Sequence, residues 1–165
     1  MLVTRRGAAL PDGRPQDVDR EFITLFHIYN ENASQFVDSN IASFASVTVT
    51  ADVDALKADP DFEESNLMHS INGFLFGNLP GLTMKKGDRV RWYLMGMGTE
   101  VDIHTPHWHG NTVTVNGMRT DVVAVFPATM LVADMEPDNV GTWLYHCHVN
   151  DHIDAGMIGL FTVTP

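Results

Sequence analysis

Two pairs of histidines, each with one residue between its members, constrain this chain more than any other feature: His107-Trp108-His109 and His146-Cys147-His148. Successive side chains of a β-strand point to opposite faces. The two histidines of a pair therefore share a face, and the residue between them looks the other way. His107 and His109 can share one metal centre, and so can His146 and His148. Cys147 must then face away from its neighbours, which lets one strand serve two sites back to back. Six of the eight histidines fall in two short clusters, HTPHWHG over 104–110 and HCHVNDHIDAGM over 146–157.

The rest of the chain supplies strands to carry such a site. Residues 8–20, with Pro11, Asp12, Gly13 and Pro15, read as a loop. Residues 21–29, EFITLFHIY, read as a strand rich in β-formers. Residues 30–46 read as a loop with one short helix. Residues 47–66, with the acidic stretch DALKADPDFEESN, read as a loop or helical turn. From residue 67 short apolar runs alternate with turn signals, as in a β-sandwich or barrel. Lys85-Lys86-Gly87-Asp88 reads as a hairpin turn before a strand over Arg89–Leu94. The 165 residues suit one domain spanning 1–165, and 44% hydrophobic residues suffice for a core.

Charge and cysteine count narrow the function. A net charge of -11 speaks against nucleic acid, which needs a basic footprint, and suits cationic substrates or metal ions. The single cysteine excludes an internal disulfide, and its histidine neighbours make it a metal-ligand candidate. No apolar run reaches the roughly 18 residues of a membrane span. The opening Met1–Arg6 lacks an apolar h-region and does not read as a signal peptide, so the expectation is of a segment removed or missing upstream.

A thiolate, two imidazoles and a weak axial thioether form the ligand set of a blue-copper electron-transfer site. Cys147, His152 and Met157 offer three of these from one segment, and His104 offers the fourth from the other cluster. A structural zinc site is the competing metal reading. Zinc favours closed Cys/His sets with C-x-x-C spacing, and one cysteine cannot supply it.

The segments HTPHWHG and HCHVNDHIDAGM resemble the copper motifs in the last domain of multicopper oxidases, H-x-x-H-x-H-G and H-C-H-x-x-x-H-x-x-x-x-M. DVDREF, ESNLMHSINGFLFGNLPGLTM, GDRVRWYLMGMGTEVDIH and FPAT are similar to the ceruloplasmin-like branch, so the likeness covers most of the chain. The resemblance implies an all-β fold, a cupredoxin Greek-key β-sandwich. It implies that His104, Cys147, His152 and Met157 hold a type 1 copper, that His107 is a type 2 ligand, and that His109, His146 and His148 are type 3 ligands. A secreted or periplasmic setting follows from the same likeness. The family's trinuclear cluster uses four H-x-H pairs from two domains, and this chain has two, His27 and His69 being isolated. The chain is therefore expected to supply half of a dioxygen-reducing cluster. Another cupredoxin domain or subunit supplies the rest, a homotrimer being one arrangement, although each copy would bring only two pairs.

In the ceruloplasmin-like branch an iron site near the type 1 copper uses Glu, His and Asp, and the matching positions are Glu64, His69 and Asp151. Hard carboxylates with one imidazole suit iron. The reading is a copper-dependent oxidoreductase that passes electrons from ferrous iron or a phenol-like reductant toward dioxygen. A stand-alone blue-copper electron carrier is the alternative, and a copper-poor interaction domain is a third reading, against which the intact ligand set argues. Met95, Met97, Met118, Met130 and Met135 read as core or turn residues, and Trp92, Trp108 and Trp143 as core or site-wall aromatics. Glu100 reads as an exposed acid or one near His104, and Gly156 as the residue that lets the chain turn before Met157.

Overall fold

A computed structural model describes residues 2–45, 52–99 and 102–165. The chain begins with strand β1 (Arg20–Asn30), a 3-10 turn (Glu31–Ala33) and helices α1 (Val37–Phe44), α2 (Val53–Lys57) and α3 (Pro60–Ser65). Strands β2 (Leu67–Ile71), β3 (Thr83–Lys85), β4 (Val90–Gly96), β5 (Pro106–Trp108), β6 (Val113–Val115), β7 (Met118–Thr120), β8 (Met130–Met135) and β9 (Gly141–Cys147) follow. A one-turn helix α4 (Asn150–Asp154) and strand β10 (Ile158–Thr164) end the chain. Six strands form one sheet in the order β2-β1-β4-β8-β6-β7, and four form the other in the order β3-β10-β9-β5.

Period-two alternation explains the long strands. In β1 Phe22, Thr24 and Phe26 are buried, and in β4 Val90, Trp92 and Leu94 are. Trp92 joins the sheets. Its ring centroid lies 4.8 Å from Phe22 on β1, 5.7 Å from Trp108 on β5, 5.0 Å from Tyr145 on β9 and 6.1 Å from Phe161 on β10. Truncating so large a buried ring costs about 3–5 kcal/mol. The Thr24 and Tyr145 hydroxyls, 2.9 Å apart, satisfy each other across the same interior. Both sheets thus grip the strand that carries the HCH triplet.

The acidic stretch forms helices because their ends are capped. The Asp52 side chain accepts from the Ala55 amide, and Asp59 caps α3 with Pro60 in its first turn. Residues 47–51 of that stretch lie outside the described residues. The hairpin expected at Lys85–Asp88 is corrected. The turn forms, with Gly87 at φ 80° and Asp88 accepting from the Lys85 amide at 2.8 Å. Yet β3 pairs with β10 in one sheet, while β4 pairs with β1 and β8 in the other. Met84 and Val90, on either side of the turn, are both buried. Burying both requires the chain to cross between layers instead of folding back on itself.

Candidate metal centre

β5 and β9 run antiparallel with Pro106 opposite Cys147, His107 opposite His146 and Trp108 opposite Tyr145. Trp108, Tyr145 and Cys147 are completely buried, on the face turned to the other sheet. The histidines of both triplets look the other way. The ladder runs on past β5, where the His109 amide donates to the Leu144 carbonyl at 3.0 Å.

On the inner face His104, Cys147 and His152 converge, with their ligand atoms within 4.8 Å of one another and all three side chains buried. His104 Nε2 is 3.3 Å from the Met97 carbonyl. A carbonyl only accepts, so Nε2 carries the proton and Nδ1 keeps its lone pair. That Nδ1 is buried and has no hydrogen-bond partner among the described residues. A buried polar atom left so costs about 1–3 kcal/mol, and a lone pair in this position is suited to a metal. Burial holds the His104 pKa down to about 4, so the ring is neutral near pH 7. His152 Nδ1 lies 3.4 Å from Cys147 Sγ, and burial lowers its pKa as well.

Burial pushes the Cys147 thiol up, while amide hydrogen bonds from Thr105 and Val149 pull the other way. A metal binding there must therefore displace a proton that burial favours. Met157 is fully buried. Its amide donates to the His152 carbonyl at 2.8 Å, and its carbonyl accepts from the Cys147 amide at 3.1 Å. Gly156 makes this turn at φ 100°, and a Cβ there would come within 2.7 Å of the Phe76 ring. A soft sulfur with two neutral imidazoles fits copper.

On the outer face the ligand atoms of His107, His109 and His146 also lie within 4.8 Å of one another. His146 Nδ1 donates to the Cys147 carbonyl at 2.7 Å, which leaves a lone pair on Nε2. That Nε2 is 3.1 Å from His107 Nδ1 and 3.0 Å from His109 Nε2. Three ring nitrogens this close repel unless a proton or cation lies among them, and burial lowers the pKa of both His107 and His146. The exposed His148 ring sits 4.9 Å from that of His107. An open cleft of about 370 Å³ adjoins, lined by His107, His109, Arg119, Asp121 and Asp138 among others. Imidazoles suit copper here too, but the group is not enclosed.

The iron candidates lie beside the inner group. His69 is buried on β2, its ring centroid 5.0 Å from that of His152, and its Nδ1 donates to the Leu67 carbonyl at 2.9 Å. Glu64 on α3 and Asp151 on α4 are exposed, and both carboxylates favour protonated His152, so their fields reach that ring. Glu64, His69 and Asp151 are not among the groups whose ligand atoms lie within 4.8 Å of one another. His27 packs against Tyr29 at 4.3 Å and is not part of either group of three, although its charged form would disfavour protonation of His104. Trp92 and Trp108 are core residues, and Trp143 packs against the core with its ring over Gly110. Met135 is core, whereas Met97, Met118 and Met130 are exposed. Glu100 lies outside the described residues.

Three groups escape a reading by ligand spacing. They are the Met97 carbonyl on His104, the Thr105 amide 3.3 Å from Cys147 Sγ, and the Asp121 carboxylate 3.6 Å from His107 Nε2. A main-chain carbonyl and amide leave no mark in residue types, and Asp121 arrives from a turn remote in sequence.

The family profile described as multicopper oxidase matches residues 46–165. Human hephaestin is 46% identical over 165 residues, covering 98% of this chain and 14% of that protein. Mouse ferroxidase HEPHL1 is 45% identical, covering 99% of this chain and 14% of its own length. Mouse ceruloplasmin is 39% identical over 163 residues, covering 99% of this chain and 15% of its own length. The chain thus spans only about a seventh of the curated relatives it matches. A solved multicopper oxidase superposes with a TM-score of 0.63 at 20% identity, covering 93% of this chain and 46% of that one. The enzyme from Campylobacter jejuni gives 0.60 at 18%, covering 92% and 31%. These superpositions match the two-sheet cupredoxin sandwich. With the profile covering most of its length and whole-chain identities of 39–46%, this chain belongs to the multicopper oxidase family.

Proposed function

We propose that the chain, as one domain, is the type 1 copper domain of an oxidase that takes electrons from a small reductant and delivers them toward dioxygen. One observation carries the reading: a single strand holds Cys147 inside a buried thiol–imidazole group and its neighbour His146 inside a second imidazole group. His104, Cys147, His152 and Met157 would hold the type 1 copper. His107 as type 2 ligand, with His109, His146 and His148 as type 3 ligands, would hold half of a trinuclear centre. Copper in such sites accepts and returns one electron at a time. The chain's own part is placement. The Met97 carbonyl sets the His104 tautomer, the interior keeps water from the sulfur, and the peptide between Cys147 and His146 links the two groups covalently. The His146 Nδ1–H bond to the Cys147 carbonyl adds a second, shorter link.

The outer group needs two more H-x-H pairs, from another cupredoxin domain or another subunit. A homotrimer of this chain would have to bring a second surface to that face. Ferrous iron is the reductant the surroundings favour: the net charge is -11, and Glu64, His69 and Asp151 flank His152. A secreted or periplasmic setting accompanies this reading. Among the described residues no helix is long and apolar enough to cross a membrane.

Copper content and dioxygen uptake test the proposal. The expected outcome is a coloured protein with one tightly held copper and no uptake alone, and uptake once a domain carrying two H-x-H pairs is joined to it. No uptake in the joined protein would make the chain an electron carrier. A colourless copper-loaded protein would sink the type 1 assignment.

A further inference from the structure

Thr105 stands between the two groups without belonging to either ligand set. Its amide donates toward Cys147 Sγ at 3.3 Å, and its hydroxyl lies 3.8 Å from the same sulfur. That hydroxyl also accepts from the His148 amide at 2.9 Å, and the Thr105 carbonyl accepts from the same amide at 2.9 Å. A hydroxyl that accepts on its oxygen keeps its own hydrogen free to donate. The sulfur is the acceptor within reach. No other side-chain hydroxyl is recorded against Cys147 Sγ among the described residues. Two donors thus converge on the sulfur from one residue, and the same hydroxyl holds the main chain of a histidine on the opposite face.

We propose that Thr105 is a positioning residue that joins the two groups, its hydroxyl damping the electron density of the Cys147 sulfur while fixing the His148 main chain. The inference rests on the type 1 reading above. A hydrogen bond to a copper-bound sulfur stabilises the reduced state, in which the sulfur is more negative, so it raises the reduction potential. Hydrogen bonding around the cysteine sulfur is one of the ways a protein tunes such a site. Threonine serves both purposes because its hydroxyl is donor and acceptor at once, and its branched carbon restricts χ1.

The test uses the full chain with Thr105→Val, which keeps shape and removes the hydroxyl, and Thr105→Ser, which returns it. In the copper-loaded protein Thr105→Val should lower the reduction potential and shift the sulfur-to-copper absorption band, with copper content unchanged. Thr105→Ser should restore both. In the copper-free protein, hydrogen exchange at the His148 amide should quicken about threefold to fivefold in Thr105→Val, the loss of part of one hydrogen bond. Thr105→Ser should return it to the native rate. An unchanged potential in a blue Thr105→Val protein, or unchanged exchange at His148, would overturn the link. A native protein without colour would instead overturn the type 1 reading, and the exchange arm would still decide whether the hydroxyl holds His148. If Thr105→Val did not fold, Thr105→Ala with the same two readouts replaces it.

Discussion

The two faces of β9 hold imidazoles in opposite circumstances. On the inner face His104 and His152 are buried around a buried thiol, and every neighbour they need comes from this chain. On the outer face His146 is buried, but His107 and His109 are half-buried, His148 is exposed, and an open cleft adjoins them. The inner site spends hydrogen bonds on its tautomers and leaves one lone pair unpartnered. The outer site crowds three ring nitrogens together beside an open cleft. A fold can complete a site in its own interior. In the proposed oxidase the outer group would be one side of an interface. The comparison makes a division of labour testable: damage to the inner group should be felt in this chain alone, and damage to the outer group only when its partner is present.

The largest expected effect comes from Cys147→Ser. Loss of the sulfur should abolish the visible band and lower oxidase turnover in the complete enzyme by about 10³-fold or more, roughly 4 kcal/mol in activation free energy. Copper at the outer group should survive, since its nitrogens are untouched. Absorption, turnover and copper analysis of the joined protein measure all three. Loss of copper from both groups would mean that the faces are not separate sites.

Acid should discriminate next. The His104 pKa is about 4 in the fold against about 6.5 for a free histidine. The unfolded chain therefore takes up a proton where the folded one refuses it. The stability this neutral ring contributes is complete above pH 6.5 and is lost as pH falls toward 4, by roughly 3 kcal/mol. His107, His146 and His152 shift in the same direction. Urea unfolding of the copper-free chain at pH 7 and pH 4 should show the loss. His104→Gln should flatten the dependence more than His107→Gln does, and equal flattening would contradict the burial difference between the faces.

The same contrast explains what residue order reveals. Alternation marks β1 through Phe22, Thr24 and Phe26, and the H-x-H spacing places four imidazoles and one thiol on opposite faces, because strand geometry is local. The destination of β3 is not local. Lys85–Asp88 carries the same turn chemistry whether the strands fold back or change sheets, and burial of both Met84 and Val90 decides. Short helices such as α2, α3 and α4, of five or six residues, are too short for periodicity to announce. The candidate ligands of the inner site are legible because residue type defines them. Their supports are not, because the Met97 carbonyl and Thr105 amide belong to every residue alike.

Two glycines, one next to Met157 and one next to His109, test the two groups separately. A Cβ at Gly156, at φ 100°, would meet the Phe76 ring at 2.7 Å, and one at Gly110, at φ 66°, would meet the Trp143 ring at 2.5 Å. Each Gly→Ala change combines positive-φ strain with overpacking and should cost about 1–3 kcal/mol. Gly156→Ala should disturb the type 1 spectrum through Met157, whereas Gly110→Ala should leave it intact and weaken copper binding beside His109. Thermal unfolding and spectra of the two variants report this. A matching spectral change in both would show that strain crosses β9.

The smallest effect concerns the inner site's approach. Glu64 and Asp151 are exposed acids whose fields reach His152, and neither is a copper ligand in the proposed set. Exposed charges contribute little to stability, so their removal should leave folding nearly unchanged. Their value would lie in holding a cation next to the chain's electron acceptor. In the complete enzyme Glu64→Ala and Asp151→Ala should each lower ferrous-iron oxidation about tenfold, roughly 1.4 kcal/mol of transition-state stabilisation. Oxidation of a phenol needs no carboxylate pair and should change little. Parallel rates with iron and with a phenol separate a specific cation site from general attraction to an acidic surface. A long-range field should weaken as salt rises, while direct ligation by the carboxylates should persist. If both variants oxidised iron at the native rate, the acids would be scenery and the inner site an open edge that accepts electrons from whatever reductant reaches it.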